Sequence, residues 1–588
     1  MNHDEPDYKR IFLAIFLAAT VLIFWQVKIE WPRRQALAHL NAAVTQQHNE
    51  EAAKHVESIP ARETEAEENP SLSREQRLAG SPRIAIDSDK LRGSIALKGA
   101  RFDDLTLARY HVTLDKDSPE VTLFSPNGDD QAWFTQIGWL ASGKTNVPDQ
   151  NTLWQADKKT LLPGQTVNLK WNNGEGVAFM LAVSLDENYM FSIAQRVENH
   201  SGHTIAVLPY AYINRAYDIP KQAAFLHEGP LGVMDGALNE STYKELRDKG
   251  NMTYDTSSGW FGITDKYWLA ALIPSGNHEK ITFSHYSKGK TDRYQVDYLG
   301  DALSVADGAS ADDNVRLFAG AKELKLLDHY ASGTIDHQPP IPLFDRALDF
   351  GWFYFLAKPM CMVVNFLYTT TGNFGVALLL FIILVKLFMY PLANKSFKSM
   401  AQMRELQPEM VKIRERYADD QIAMHKAMRE LYKREKVNPA AGCLPVLIQI
   451  LVFLALFRGL NVTIEMRHAP FFGWIKDLSA PDPSNLFTAF GLVPWNTPHW
   501  LHLGLLPMLY CITMVIQTSQ QPTPPDPVQA KMMKWMPYFF LFVFDNMASG
   551  FVLYWTWSNL LSIFQQRLIT KRHGDKTEQK KMVAGHES

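Results

Sequence analysis

The feature that most constrains this chain is the run from Phe374 to Leu392, apolar throughout except for Lys386. About 20 apolar residues match the hydrocarbon thickness of a bilayer, and backbone groups in lipid must satisfy their hydrogen bonds internally, so the run predicts a membrane helix. Comparable runs cover Cys443 to Leu460, Leu501 to Thr518, Met533 to Phe544 and Gly550 to Leu568, the Met533 run being short and the other three carrying some polar residues. Near the start, Ile11 to Trp25 follows Lys9 and Arg10. That segment reads as an uncleaved anchor over 1–27 or as a signal peptide cut near Ala36-Leu37-Ala38. Lys28, Glu30, Arg33 and Arg34 lie before the possible cut and favour the anchor. The expected fold class is an α-helical polytopic membrane protein with six transmembrane helices and one large all-β domain between the first two.

Charge orients the chain. The 588 residues are 46% hydrophobic and 21% charged with a net charge of -3, which excludes a disordered chain and a strongly basic nucleic-acid binder. The sum hides a separation: residues 28–340 carry 32 basic and 42 acidic residues, a net of -10, and the rest of the chain carries +7. The loop 393–442 holds eleven Lys and Arg against seven acids, and Lys571, Arg572, Lys576, Lys580 and Lys581 crowd the tail 571–588. Basic short loops stay cytoplasmic. Both termini are therefore expected inside, and the acidic region outside.

All three cysteines (Cys361, Cys443, Cys511) lie in the C-terminal part, so the outer domain needs no disulfide. Within it, 28–82 is rich in Ala, Gln and Glu and reads as a tether. From 83 to 330, short alternating runs such as Thr166-Val-Asn-Leu-Lys-Trp and Phe191-Ser-Ile-Ala-Gln-Arg-Val predict a β-sandwich. One segment, Gly138-Trp-Leu-Ala-Ser-Gly-Lys144-Thr145, fits the phosphate-loop pattern. Pro148 and turn formers follow it, where that motif needs a helix start, so it is expected to be a β-domain loop. No nucleotide, cofactor, metal or catalytic residue is expected.

The core 341–570 opens with Phe344 to Tyr368, whose mixed aromatic and charged residues suit a helix in the outer membrane interface or one packed on the domain. An intramembrane charge is a functional candidate, so Lys386 stands out. It also lies five residues before Pro391, about 7.5 Å at helical rise, so its stem is long enough to reach the cytoplasmic surface instead. Met400, Met403, Met410, Met424 and Met428 recur at helical spacing in 395–437, a predicted cytoplasmic helical hairpin. Such a stripe either packs on itself or serves as an adaptable hydrophobic binding face.

Three motifs then coincide: Asn438-Pro-Ala-Ala-Gly-Cys-Leu-Pro-Val-Leu-Ile-Gln449, Arg467-His-Ala-Pro-Phe-Phe-Gly-Trp-Ile-Lys-Asp477, and Ser549-Gly-Phe-Val-Leu-Tyr-Trp-Thr-Trp-Ser-Asn559. Together they resemble the YidC membrane protein insertases of Gram-negative inner membranes. The resemblance implies a membrane insertase and chaperone, not an enzyme, with a hydrophilic groove open to cytoplasm and lipid. It places Lys386, Gln449, Phe453, Tyr554, Trp555 and Ser558 in that groove. Its implied partners are nascent inner-membrane proteins, the Sec translocon with its accessory subunits, the ribosome or targeting factors at the cytoplasmic loops and tail, and membrane lipids. Two departures are visible: Lys386 stands where the family usually carries arginine, and Ile382 where a hydroxyl is common. An extra stretch, 491–503 with Trp495 and Trp500, precedes the fourth span. A polytopic transporter or channel using Lys386, and a carbohydrate-binding outer module, remain the alternative classes.

Overall fold

A computed structural model of the protein describes residues 72–585 except 219–225, 277, 289–290, 336–337, 418–419, 436, 438–443, 492, 494–497, 499–501 and 522–526. The expected anchor 1–27, most of the tether, Cys443, Trp495, Trp500 and the side chains of the tail 571–588 lie outside the described residues.

The alternating runs of the first half form two sheets. Among the described residues the larger has 11 strands, running from Met252–Thr256 through Glu279–Lys288, Thr291–Gly300, Ile205–Ala216, Trp133–Ala141, Arg101–His111, Leu91–Ala96 and Arg83–Asp87 to Thr160–Leu161. The second has nine, centred on Trp268–Pro274, Ser310–Ala321, Met190–Asn199 and Val177–Leu185. Side chains alternate faces along a strand, and Val177, Phe179, Leu181, Val183 and Leu185 accordingly all point into the core between the sheets. Gly259 has a φ of 143°, and a Cβ there would sit 1.8 Å from the Val233 carbonyl, so only glycine lets these strands approach. The segment resembling a phosphate loop begins inside strand Trp133–Ala141, and the amide of Ser142 donates to Ala206 O at 2.9 Å. Its first four residues are strand paired with Ile205–Ala216 and no helix follows the bend at 142–144, so it is not built as a phosphate loop.

Twelve α-helices are described: α1 (Arg74–Leu78), α2 (Tyr243–Lys249), α3 (Leu324–Ser332), α4 (Tyr354–Thr371), α5 (Phe374–Phe388), α6 (Tyr390–Glu405), α7 (Gln407–Arg416), α8 (Gln421–Arg434), α9 (Leu444–Val462), α10 (Leu505–Ser519), α11 (Pro527–Asp545) and α12 (Ser549–Gly585). The expected single helix over 344–368 is instead two 3-10 turns, Phe344–Ala347 and Gly351–Phe353, followed by α4. Gly351, at a φ of 55°, breaks the run. Helices α5 and α6 meet at a 67° bend, where Pro391 cannot donate to the preceding turn. No single helix among the described residues is long and apolar enough to cross a membrane alone, while this bent pair passes that test jointly.

The sandwich and the helices share one core. Phe344 packs edge-on against Trp260 at 5.1 Å and Phe318 at 5.3 Å, drawing the start of the helical half onto the second sheet. Lys358 Nζ on α4 bridges Asp328 (2.7 Å) on α3 and Asp345 (2.6 Å). Arg467 donates to His111 O at 2.6 Å. Glu465, just after α9, accepts from the Leu324 amide (3.4 Å) at the start of α3 and from Asn365 (3.5 Å) on α4. Burial pushes its carboxyl up to about 7.

That shift has a pH consequence. The closed junction holds a proton that the opened one releases, so its stability falls as pH rises from the ordinary carboxyl range toward 7 and levels off above. Glu465→Gln is expected to remove this slope. Hydrogen exchange of α3 and α4 in the full chain between pH 5.5 and 8, corrected for intrinsic rates, checks it; equal slopes in parent and variant count against it.

Candidate functional site

The helix bundle is apolar on its outside. Phe388 is 87% exposed and Phe564 61%, and Leu447, Leu451, Ile512, Val528, Trp535, Phe539 and Phe542 are each more than half exposed. A soluble protein rarely leaves so much contiguous apolar surface in water.

Inside, the polarity inverts. On α12, Tyr554, Ser558, Ser562 and Gln566 recur every four residues and are all buried, whereas Leu560, Phe564 and Leu568 share the exposed side. Four-residue spacing stacks side chains on one helix face, so a polar stripe runs along the inner face of α12. Lys386, near the C-terminal end of α5, turns toward this stripe instead of outward. Its Nζ donates to Ser562 Oγ on α12 (2.8 Å) and to Gln449 Oε1 on α9 (3.2 Å). Gln449 Nε2 in turn donates to the Tyr554 hydroxyl, and Ser562 Oγ donates to Ser558 O at 2.9 Å. One ammonium thus ties three helices together.

Beside this set lies an aromatic wall. Phe453 on α9 meets Trp555 at 4.8 Å, Tyr554 at 5.8 Å and Phe457 at 5.6 Å. Ile382, one turn before Lys386, is fully buried and adds no hydrogen-bonding group. Two further polar contacts tie α12 to α10 on either side of Ser562: Asn559 donates to Thr513 at 3.4 Å, and Gln566 to Gln520 O at 3.0 Å. At the other end of α10, two carboxylates cap the helix start. Asp482 accepts from Leu506 N (2.7 Å), and Asp545 accepts from Gly504 N (2.8 Å) and contacts His502 (3.1 Å).

Every groove residue named from the sequence lies at or beside this cluster, although Ser558 takes part through its carbonyl. The sequence reading missed Ser562, the closest partner of Lys386, and Gln566. The signal was present in the four-residue ladder that starts at Tyr554. The hairpin methionines divide differently. Met410 and Met428 are buried with Leu431 in the hairpin's own seam, flanked by Leu406, Ile413 and Tyr432, and so are not surface binding residues. Met403 and Met424 are half-buried, and Met400 lines a cleft against α10 and α12. The described cysteines, Cys361 and Cys511, are buried free thiols. Among the described residues no group of His, Cys, Asp and Glu is arranged to hold a metal.

A bundle apolar outside and polar inside, joined to a β-sandwich, is the architecture of a membrane-embedded protein with a large extramembrane domain. Family comparisons match the YidC periplasmic domain over residues 83–363 and the 60Kd inner membrane protein family over 366–577. The membrane protein insertase YidC of Rickettsia bellii is 44% identical over 564 residues, covering 95% of this chain and 98% of the relative. That of Methylobacterium radiotolerans is 42% identical over 605 residues, covering 98% and 96%. A solved structure of an active YidC insertase, 18% identical, covers 82% of this chain and 92% of its own at a TM-score of 0.35. The chain belongs to the YidC family of bacterial inner-membrane protein insertases.

Proposed function

We propose that this protein inserts and helps fold inner-membrane proteins by drawing the polar tail of a substrate into the cluster around Lys386 while the substrate's apolar segment leaves into lipid. The observation that carries this reading is the lysine held by Gln449 and Ser562 within a bundle coated by apolar side chains. Moving polar groups into hydrocarbon costs several kcal/mol each, and a hydrophilic lining at membrane depth lowers that cost. A fixed ammonium favours acidic tails. Apolar burial in lipid and the membrane potential supply the drive without a nucleotide, each unit charge gaining about 2.3 kcal/mol per 100 mV.

The membrane arrangement belongs to the same proposal: an anchor over 1–27, then spans built on α5, α9, α10, α11 and α12, both termini cytoplasmic and the sandwich periplasmic. The exposed residues Trp352, Phe355 and Phe366 suit α4 and the turn before it to the outer interface. The hairpin α6 to α8 and the basic tail face the cytoplasm, where a ribosome or targeting factor delivers substrates, and the Sec translocon is a lateral partner. Proteoliposomes containing only this chain, given a single-span substrate with an acidic outer tail and no nucleotide, provide the test. Absence of protease-protected substrate under an imposed potential would remove the proposal. Deleting residues 90–320 is expected to leave at least half of that insertion, because none of the Lys386 contacts comes from the sandwich. Loss of insertion in a variant that still reaches the membrane would move the activity to the outer domain.

A further inference from the structure

A second site lies at the end of the bundle beyond the lysine cluster, where Gln566, the last residue of the polar stripe on α12, lines both. Between α6, α10 and α12 opens a cleft of about 340 Å³. Phe397 and Met400 from α6 and Ile516 from α10 form an apolar wall, and Arg404 and Arg567 stand on its rim. Both arginines are exposed, and among the described residues neither has a hydrogen-bond or ion-pair partner. This differs from Arg434 on the same hairpin, which pairs with Glu409 at 2.7 Å. The last carbonyls of α10 would repel an anion, but Gln566 Nε2 already donates to Gln520 O there at 3.0 Å. On α12, Arg567 is flanked by the exposed Phe564 and Leu568, so the rim lies where the apolar surface of the bundle ends.

We propose that this cleft binds one anionic phospholipid of the cytoplasmic leaflet. Its phosphate sits between Arg404 and Arg567 and one acyl chain lies along Ile516 and Phe397. Guanidinium groups offer planar pairs of donors that match phosphate oxygens, and two unpaired ones beside an apolar wall at a membrane boundary recognise a charged head joined to a hydrocarbon stem. A zwitterionic lipid lacks the net charge to use both. The bound lipid bridges the hairpin to the bundle and so fixes how the hairpin stands at the cytoplasmic entrance. This inference rests on the membrane placement proposed above.

The test uses the full chain purified in detergent and titrated with phosphatidylglycerol or phosphatidylcholine, with bound lipid counted by native mass spectrometry. One phosphatidylglycerol is expected to bind in preference to phosphatidylcholine. The double variant Arg404→Gln with Arg567→Gln is expected to weaken the anionic lipid roughly thirtyfold, about fivefold for each arginine, and to leave phosphatidylcholine unchanged. Ile516→Trp, which fills the cleft and leaves the charges, is expected to weaken it as well. Equal phosphatidylglycerol binding by parent and double variant overturns the proposal. So does equally tight binding of inorganic phosphate alone, which makes this a free-anion site. Complete disulfide formation between Met400→Cys and Thr523→Cys without added lipid also overturns it, since the Pro-rich segment 521–527 that joins α10 to α11 would then be the occupant. If the chain retains neither lipid class, the membrane placement fails instead.

Discussion

Lys386→Glu is expected to abolish insertion of substrates with acidic outer tails, by a hundredfold or more, while Lys386→Arg retains most of it. The ammonium donates to two acceptors, Ser562 Oγ and Gln449 Oε1. A carboxylate in its place reverses the charge offered to the substrate and turns both contacts into acceptor against acceptor until the amide and hydroxyl reorient. A like charge within about 4 Å costs about 4 kcal/mol at the effective dielectric of a partly hydrated site, which is about a thousandfold in rate if felt in the limiting step. Arginine keeps the charge and adds a second donor direction. Complementation of a strain depleted of its own insertase, with the variant's membrane level measured in parallel, decides the matter. Full growth on the glutamate variant would sink the groove.

Tyr554→Ala is expected to be the most damaging single truncation in the cluster. The ring is 1% exposed and packs against Phe453 and Trp555, and its hydroxyl holds the Gln449 amide that in turn receives Lys386. Removing it leaves a cavity worth about 3–5 kcal/mol and frees Gln449 to rotate away. Tyr554→Phe keeps the packing and loses only the hydrogen bond, about 1 kcal/mol. Thermal unfolding in detergent is expected to separate the two variants by several degrees, and insertion is expected to fall with alanine far more than with phenylalanine. Equal behaviour of the two would show that the ring contacts carry no weight.

The sandwich was legible because its strands alternate and break at turns, and a two-residue period has one structural meaning. The apolar runs were legible for the same kind of reason. What escaped was anything set by two distant elements at once. Ser562 has no special neighbours in sequence, and becomes a ligand of the lysine because α5 brings Lys386 opposite it. Whether Lys386 reached the surface or turned inward was undecidable from its distance to Pro391. The 67° bend at that proline changes where the surface is. The single helix expected over 344–368 failed at Gly351, whose left-handed backbone no periodicity reveals. The hairpin methionines read as one stripe because spacing cannot say which side meets the partner helix, and Met410 and Met428 meet each other's arm.

Helices α5 and α10 have 15 residues each, about 22 Å of rise, against a hydrocarbon core of about 30 Å. In the proposed placement lipid beside them must compress by several ångströms, at a fraction of a kcal/mol per ångström. The hydrophobic mismatch is then not a defect of short helices. It sets a local gradient in bilayer thickness, and a polar tail crossing beside the bundle meets its barrier where the insulating layer is thinnest.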